Sequence, residues 1–275
     1  FMGVWPMEVE LSRIDSADVL ELRFQGVGAA GQSKSDGASL ALRYRGDADR
    51  IVRVTGVQGA DDRIRADLHD VPLDDGTWDV LWVDGEGRRS HIATSDSGLS
   101  LADRITYLRR PRRRELRTVR DPRGRLRLRA AAVVPYAEVE WVGVEADTVT
   151  VSGLLAYTSC GGGTTEGCVV ARQRERTGSL TAPAGLAEGR FCAEIPLSLM
   201  AGAHDFGRAH NEWDLWLRLP CSGDELRLGA HAADITGKKK KFVYPDALLP
   251  EGVRILPYYT VDDEFSLLAT AEVGT

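Results

Sequence analysis

Lysine is almost missing from this chain. It occurs only at Lys34 and in the run Lys238–Lys241, so 35 basic residues minus 5 lysines leaves 30 arginines. The glycine-rich stretch Gly26–Gly31 has no lysine directly after its last glycine, Lys34 standing three residues on, and no helical pattern behind it, so a nucleotide loop is not expected there. Long apolar runs are missing too. No stretch approaches the ~18 consecutive apolar residues of a membrane-spanning helix. Phe1–Pro6 lacks the charged start and apolar core of a signal peptide, so a cytoplasmic location is expected. The first half has no cysteine, because Cys160, Cys168, Cys192 and Cys221 all lie in the second. That excludes a disulfide framework inherited by both halves, and free thiols are expected. Cys160 and Cys168 are spaced unlike a usual zinc pair, and the sequence implies no metal or other cofactor. No amphipathic helix exceeds about two turns; Leu197–Ala203 and Asp246–Leu249 read as short helical turns.

What is present is strand periodicity. Val19–Phe24, Leu40–Tyr44, Ile51–Val54, Val139–Val142 and Thr148–Val151 alternate apolar and polar residues between Gly, Asp and Asn clusters. With 275 residues, 43% hydrophobic and 28% charged, the chain suits two globular domains. The halves echo each other. Trp78-Asp79-Val80-Leu81-Trp82 matches Trp213-Asp214-Leu215-Trp216, and Leu126-Arg127-Leu128 matches Phe265-Ser266-Leu267. Ala66-Asp67-Leu68 pairs with Ala193-Glu194-Ile195, Ser90–Ala93 with Ala230–Ala233, and Thr118–Asp121 with Thr260–Asp263. The expected fold is all-β: two tandem immunoglobulin-like β-sandwich domains from an internal duplication, at 1–133 and 134–275.

The second half, Val139–Ala269, carries Glu-Trp-Asp-Leu-Trp-Leu-Arg-Leu, then Leu-Arg-Leu-Gly-Ala, a basic turn, Tyr-Tyr-Thr-Val and Phe-Ser-Leu. In these it resembles the accessory β-sandwich modules of Gram-positive cell-wall polymer (teichoic-acid-type) glycosyltransferases and glycerophosphotransferases. The resemblance implies polymer binding or assembly, with catalysis located elsewhere.

The densest chemical signal is Arg109–Arg129, with eleven arginines against Glu115 and Asp121. This stretch carries +9, the whole chain −6, and the remainder therefore −15. Guanidinium groups bind phosphate and carboxylate bidentately. Arg109, Arg110, Arg112, Arg113, Arg114 and Arg117 are the candidate ligand-binding residues. Two other readings stay open: pairing with an acidic domain or subunit, and a solvated edge strand. Nucleic acid is disfavoured, since the chain is acidic and no aromatics interleave with the arginines. Lys238–Lys241 reads as an exposed turn.

His204, Asp205, His210, Glu212 and Asp214 are the only group resembling a metal or acid–base site, and the histidine spacing fits zinc poorly. Asp79 with Asp214, and His91 with His231, recur between the halves and read as structural. Trp78 and Trp82, four apart, share a strand face, whereas Trp213 and Trp216 face oppositely; core packing is favoured over a sugar platform. The expected function is a non-catalytic binding or assembly module, with no catalytic residues assigned. Its partner is an anionic glycopolymer, a phosphorylated sugar or a glycosyltransferase, and the loop Ala201–Asn211 shapes a rim. Homo-oligomerisation through exposed sheet edges is a variant. The alternative is an enzyme with its site in the cleft between the domains.

Overall fold

The computed structural model describes residues 7–24, 39–60, 62–96, 98, 101–232, 235 and 237–272. Phe1–Pro6 and Gly26–Gly31 lie outside them. The chain forms two compact units: one runs to Tyr107 and resumes at Arg112–Val133, the other takes Leu108–Pro111 and Val134 onward. Both are all-β.

In the first unit the strands are β1 (Met7–Ile14), β2 (Val19–Phe24), β3 (Ser39–Tyr44), β4 (Ile51–Val54) and β5 (Gln58–Ala60). Then come β6 (Arg63–Asp67), β7 (Gly76–Val83) and β8 (Arg89–Thr94), an eight-residue helix α1 (Leu101–Leu108), β9 (Arg114–Arg120) and β10 (Leu126–Ala132). The period-two pattern does what it should. On β2, Leu20, Leu22 and Phe24 point into the core; on β10, Leu126 and Leu128 are fully buried while Arg127 and Arg129 face outward. β10 is not an edge, since it pairs with both β7 and β9. Trp78 and Trp82 both join the core, around Leu20, Leu22, Leu40 and Leu128.

The second unit holds β11 (Tyr136–Val144), β12 (Thr148–Ala156), β13 (Thr165–Gln173), β14 (Leu180–Ala187) and β15 (Arg190–Pro196). After a one-turn helix α2 (Ser198–Gly202) follow β16 (Asn211–Arg218), β17 (Glu225–Gly229), β18 (Ala247–Leu249), β19 (Val253–Tyr259) and β20 (Phe265–Ala271). Asp246–Leu249, read as a helical turn, is instead largely strand β18, because Ala247 and Leu249 alternate inward against β19.

Strand pairing repeats between the units. β1–β2 and β11–β12 are antiparallel with a register break at the same point, Val9/Leu11 and Val139/Trp141. β8 runs parallel to β1, as β17 does to β11. β7 pairs with β3, β8 and β10; β16 pairs with β13, β17 and β20. One difference decides the architecture. β14 pairs with β13 on one side and β15 on the other, closing seven strands into a barrel. In the first unit the corresponding stretch is split into β4 on β3 and β5 on β6, with left-handed Gly56 (φ 70°) between them. A single strand cannot serve both neighbours through that turn, so the first sheet stays open there.

The register corrects the alignment read from sequence. Asp79 corresponds to Asp214 and Leu128 to Leu267, as expected. Ile92, however, pairs with Met7 as Leu228 pairs with Ala137, so His91 corresponds to Arg227 and not to His231. Ala66 corresponds to Ile195, and Thr118 to Pro257. Two further expectations change. Cys160 and Cys221 form a disulfide, while Cys168 and Cys192 are free thiols. Lys238 is buried: its amide donates to Asp263 (2.7 Å) and its Nζ to the Ile235 carbonyl (2.5 Å).

Candidate functional site

The first unit gathers arginines around one buried carboxylate. Asp79, on the outward side of β7, has a side chain only 5% exposed. Arg43 from β3 donates to it at 2.9 Å, and Arg45 and Arg127 each approach at 3.4 Å. Arg127 also reaches Asp121 at 2.6 Å. Burial pushes the Asp79 carboxyl up, but the hydrogen bond and charge of Arg43, with His91 and Arg45, hold it below its ordinary range. His91 Nε2 lies 3.4 Å from Arg43. Burial lowers its pKa first, then the charge of Arg125; Asp79 opposes them, and Arg43 and Arg127 add to the lowering. The neighbouring row adds Arg129 opposite Thr77 and Arg117 opposite Arg129. Arg89, Arg125 and Arg129 have no ion-pair partner among the described residues.

The second unit carries the same arrangement with different charges. Asp214 accepts two bonds from Arg174 (3.0 and 2.8 Å), one from Arg227 (2.9 Å) and one from Ser266 (2.9 Å). Burial raises this carboxyl, and these partners outweigh it. Each arginine here has a further carboxylate: Arg174 has Glu212, Arg227 has Glu264, and Arg172 and Arg218 share Glu225. Trp216, facing outward, is held between Arg172 and Arg227 at 4.9 and 5.0 Å.

The register turns this into an internal control. Where the second unit has Glu212, Glu225 and Glu264, the first has Thr77, Arg89 and Arg125. One copy of the network is therefore neutralised by its own carboxylates, and the other is a cationic array over two buried aspartates, Asp79 and Asp121. Each guanidinium has five N–H donors, and Asp79 occupies few of them. Such a fork, with its orientation fixed from below, matches phosphate or carboxylate oxygens.

The six arginines singled out from sequence are divided in their roles. Arg112, 8% exposed, donates to Asp18 (2.7 Å) and the Ser16 carbonyl (2.9 Å), and stacks 3.5 Å over Tyr107. Arg114 donates to the Val71, Leu68 and His69 carbonyls at 2.6 to 3.0 Å. Both are engaged by the fold. Arg117 binds Glu115 at 3.0 Å, and Arg109 donates to the Glu188 carbonyl at 2.8 Å. Arg110 and Arg113 are exposed. The segment divides between the units, with Arg109 and Arg110 in the second and the other four in the first.

The histidine cluster comes apart. His204 is buried against Asn211 (2.9 Å), Asp205 pairs with Arg176, and Glu212 with Asp214 holds Arg174. Among the described residues no group of three or more His, Cys, Asp or Glu side chains could hold a metal. Asn211 also bonds the Asp205 backbone, which latches the loop expected as a rim. Trp78, Trp82 and Trp213 are buried as expected; Trp141 is 56% exposed, and nothing in its strand pattern singled it out.

No protein-family model and no curated protein matches the chain. Solved structures similar to it include S. aureus TarS, a teichoic-acid glycosyltransferase, at 10% identity and TM-score 0.34. That match covers 68% of this chain and 34% of TarS, so the chain spans about a third of that protein's length. Residues 217–571 of TarS match at 11% identity and TM-score 0.34, over 70% of this chain and 56% of that one. A pullulanase from Anoxybacillus sp. LM18-11 matches at 9% identity and TM-score 0.20, over 79% and 25%. The relation to the cell-wall polymer enzyme is weak, and at these TM-scores the likenesses carry no argument about function. No described helix is long and apolar enough to cross a membrane.

Proposed function

We propose that the chain is a non-catalytic module that binds an anionic polymer through the arginine face of its first unit, with Arg43, Arg45, Arg127 and Arg129 as the principal contacts. The observation that carries this reading is the contrast between the two copies. Arginines surround the corresponding aspartate in both, but the second copy adds Glu212, Glu225 and Glu264, whereas in the first Arg43 and Arg45 share Asp79 alone and only Arg127 has a further carboxylate, Asp121. Arg113 and Arg117 extend the face on the same unit, and Arg109 and Arg110 supply separate cationic contacts on the second. The sequence resemblance to accessory modules of wall-polymer transferases supports a phosphate-bearing glycopolymer as the ligand. The Cys160–Cys221 disulfide supports an oxidising compartment in place of the cytoplasm, since reducing cytosol rarely preserves such bonds.

The test is titration with a glycerol-phosphate polymer at low and physiological salt. Wild type is compared with Arg43→Gln/Arg45→Gln and with the second-unit control Arg172→Gln/Arg174→Gln. Charge-assisted hydrogen bonds contribute about 1.5–3 kcal/mol each, so the first double variant should lose about tenfold or more. The control should bind as wild type, and added salt should weaken binding because each released counterion gains less entropy in a saltier solution. Equal losses in both variants, or salt-independent binding, would refute the assignment.

A further inference from the structure

The outward face of the barrel in the second unit has a feature that neither the fold nor the anion reading requires. Trp141 follows the break in register on β11 and projects outward beside Ser152 of β12. Its ring lies along its own strand over Gly143: a Cβ there would meet the indole at 2.4 to 3.1 Å. Glycine at 143 therefore lets the ring lie flat against the sheet. Cross-strand pairing continues from Ser152 to Cys192, Gly185 and Glu166, and from Gly143 to Thr150 and Glu194. Gly185 has no left-handed backbone, and a Cβ there would meet only the Cys192 carbonyl at 4.0 Å. Neither conformation nor packing demands glycine at 185, yet its absent side chain keeps the floor of the face flat. An open trough of about 460 Å³ runs over this floor, with Glu166 and Glu194 among its walls. Neither carboxylate has an ion-pair partner among the described residues.

We infer that this face binds an oligosaccharide running across the strands, with Trp141 stacking on one pyranose ring beside Thr150 and Ser152. Glu194 and Glu166, two and four strands further on, take hydroxyls of the next sugar residues along the trough. A flat, half-exposed indole presents the negative face of its ring quadrupole, to which the polarised C–H edge of a pyranose is attracted. The hydroxyls beside it donate to and accept from sugar O–H groups, and the carboxylates farther across the face accept from them. Two free carboxylates turn away phosphate, so the ligand here is a neutral or amino sugar. This site is independent of the anion-binding reading, because the corresponding position in the first unit is Leu11.

The probe is an array of neutral and amino-sugar oligosaccharides free of phosphate and sulfate, followed by titration of the best-retained glycan. Trp141→Ala should weaken that binding at least tenfold, and Trp141→Phe should restore part of it. Arg43→Gln and raised salt should leave it unchanged, which separates this site from the arginine face. Trp141 is largely exposed, so both variants should keep the wild-type melting temperature. No retained glycan, or equal retention by wild type and Trp141→Ala, overturns the proposal. So does a lower sedimentation mass for Trp141→Ala, which would make the face an interface between two copies.

Discussion

Arg112 and Arg110 show how little an arginine's sequence neighbourhood says about its role. Arg112 and Asp18 are both about nine-tenths buried and paired at 2.7 Å, with Tyr107 donating to the same carboxylate at 2.6 Å. Removing one partner of a buried pair strands the other, at a cost of roughly 3–5 kcal/mol. Arg112→Ala should therefore lower the denaturation midpoint severely, while Arg110→Ala should stay within about 0.5 kcal/mol of wild type. Comparable midpoints for the two would contradict the burial of Arg112. His91 gives a second test at this scale. Its pKa is lowered by burial and by Arg125, Arg43 and Arg127, against the pull of Asp79. A polyanion on those guanidiniums cancels their repulsion and raises the pKa, so binding takes up protons. By linkage, affinity rises as pH falls from 8 to 6. A phosphodiester polymer keeps its own charge over that range. The gain should appear mostly at the acid end of that range, because the His91 pKa lies below the ordinary histidine value, and His91→Gln should flatten it. A flat profile in wild type would place the polymer away from His91.

At the scale of elements, the disulfide joins segments just beyond β12 and β16, 61 residues apart in sequence. Closing a loop of that length restricts the unfolded chain by about 4 kcal/mol in the chain-entropy picture, and observed gains are typically 2–4. Cys160→Ser/Cys221→Ser should lower stability by that amount. Thiol titration of denatured, unreduced wild type should find two thiols, Cys168 and Cys192; four would refute the pairing. Sequence alone did not reveal the bond because its partners lie on non-adjacent turns, 61 residues apart, with no spacing to join them. The strands themselves were legible, because alternation such as Leu126-Arg127-Leu128-Arg129 states which face is inside. Helix α1 was not, although Leu101, Ile105 and Leu108 keep helical spacing; eight residues give that signal too little length. The repeat was legible where tryptophan anchored it and slipped where short words of Ala, His and Thr were matched without a register. The arginine site escaped for a related reason. Arg43, Asp79 and Arg127 are dozens of residues apart and meet only through cross-strand pairing. The run Arg109–Arg117 stands out in sequence, although Arg112 and Arg114 within it are turned to the fold.

The whole molecule is a duplication whose copies have diverged in charge and in aromatic placement, and this makes the two functional readings separable. If the first unit's face binds anions because it lacks its sibling's carboxylates, transplanting those carboxylates should abolish binding while preserving the network. Thr77→Glu/Arg125→Glu reproduces Glu212 and Glu264, which hold Arg174 and Arg227 at 2.8 and 3.0 Å in the second unit. At 77 the new carboxylate meets Arg45, the counterpart of Arg174, while at 125 it meets His91, which stands where the second unit has Arg227. Both are exposed-side contacts, so stability should change by less than about 1 kcal/mol. Affinity for the glycerol-phosphate polymer should fall by about a hundredfold or more, since a cation is lost and two anions are added. The reverse exchange, Glu212→Thr/Glu264→Arg, should leave Arg174 and Arg227 sharing Asp214 alone and create salt-sensitive polymer binding on the second unit. Glycan retention should depend on Trp141 in both backgrounds. If the first exchange leaves binding intact, the array around Asp79 is a structural network like its sibling, and anion recognition belongs to the exposed arginines of the 109–117 segment.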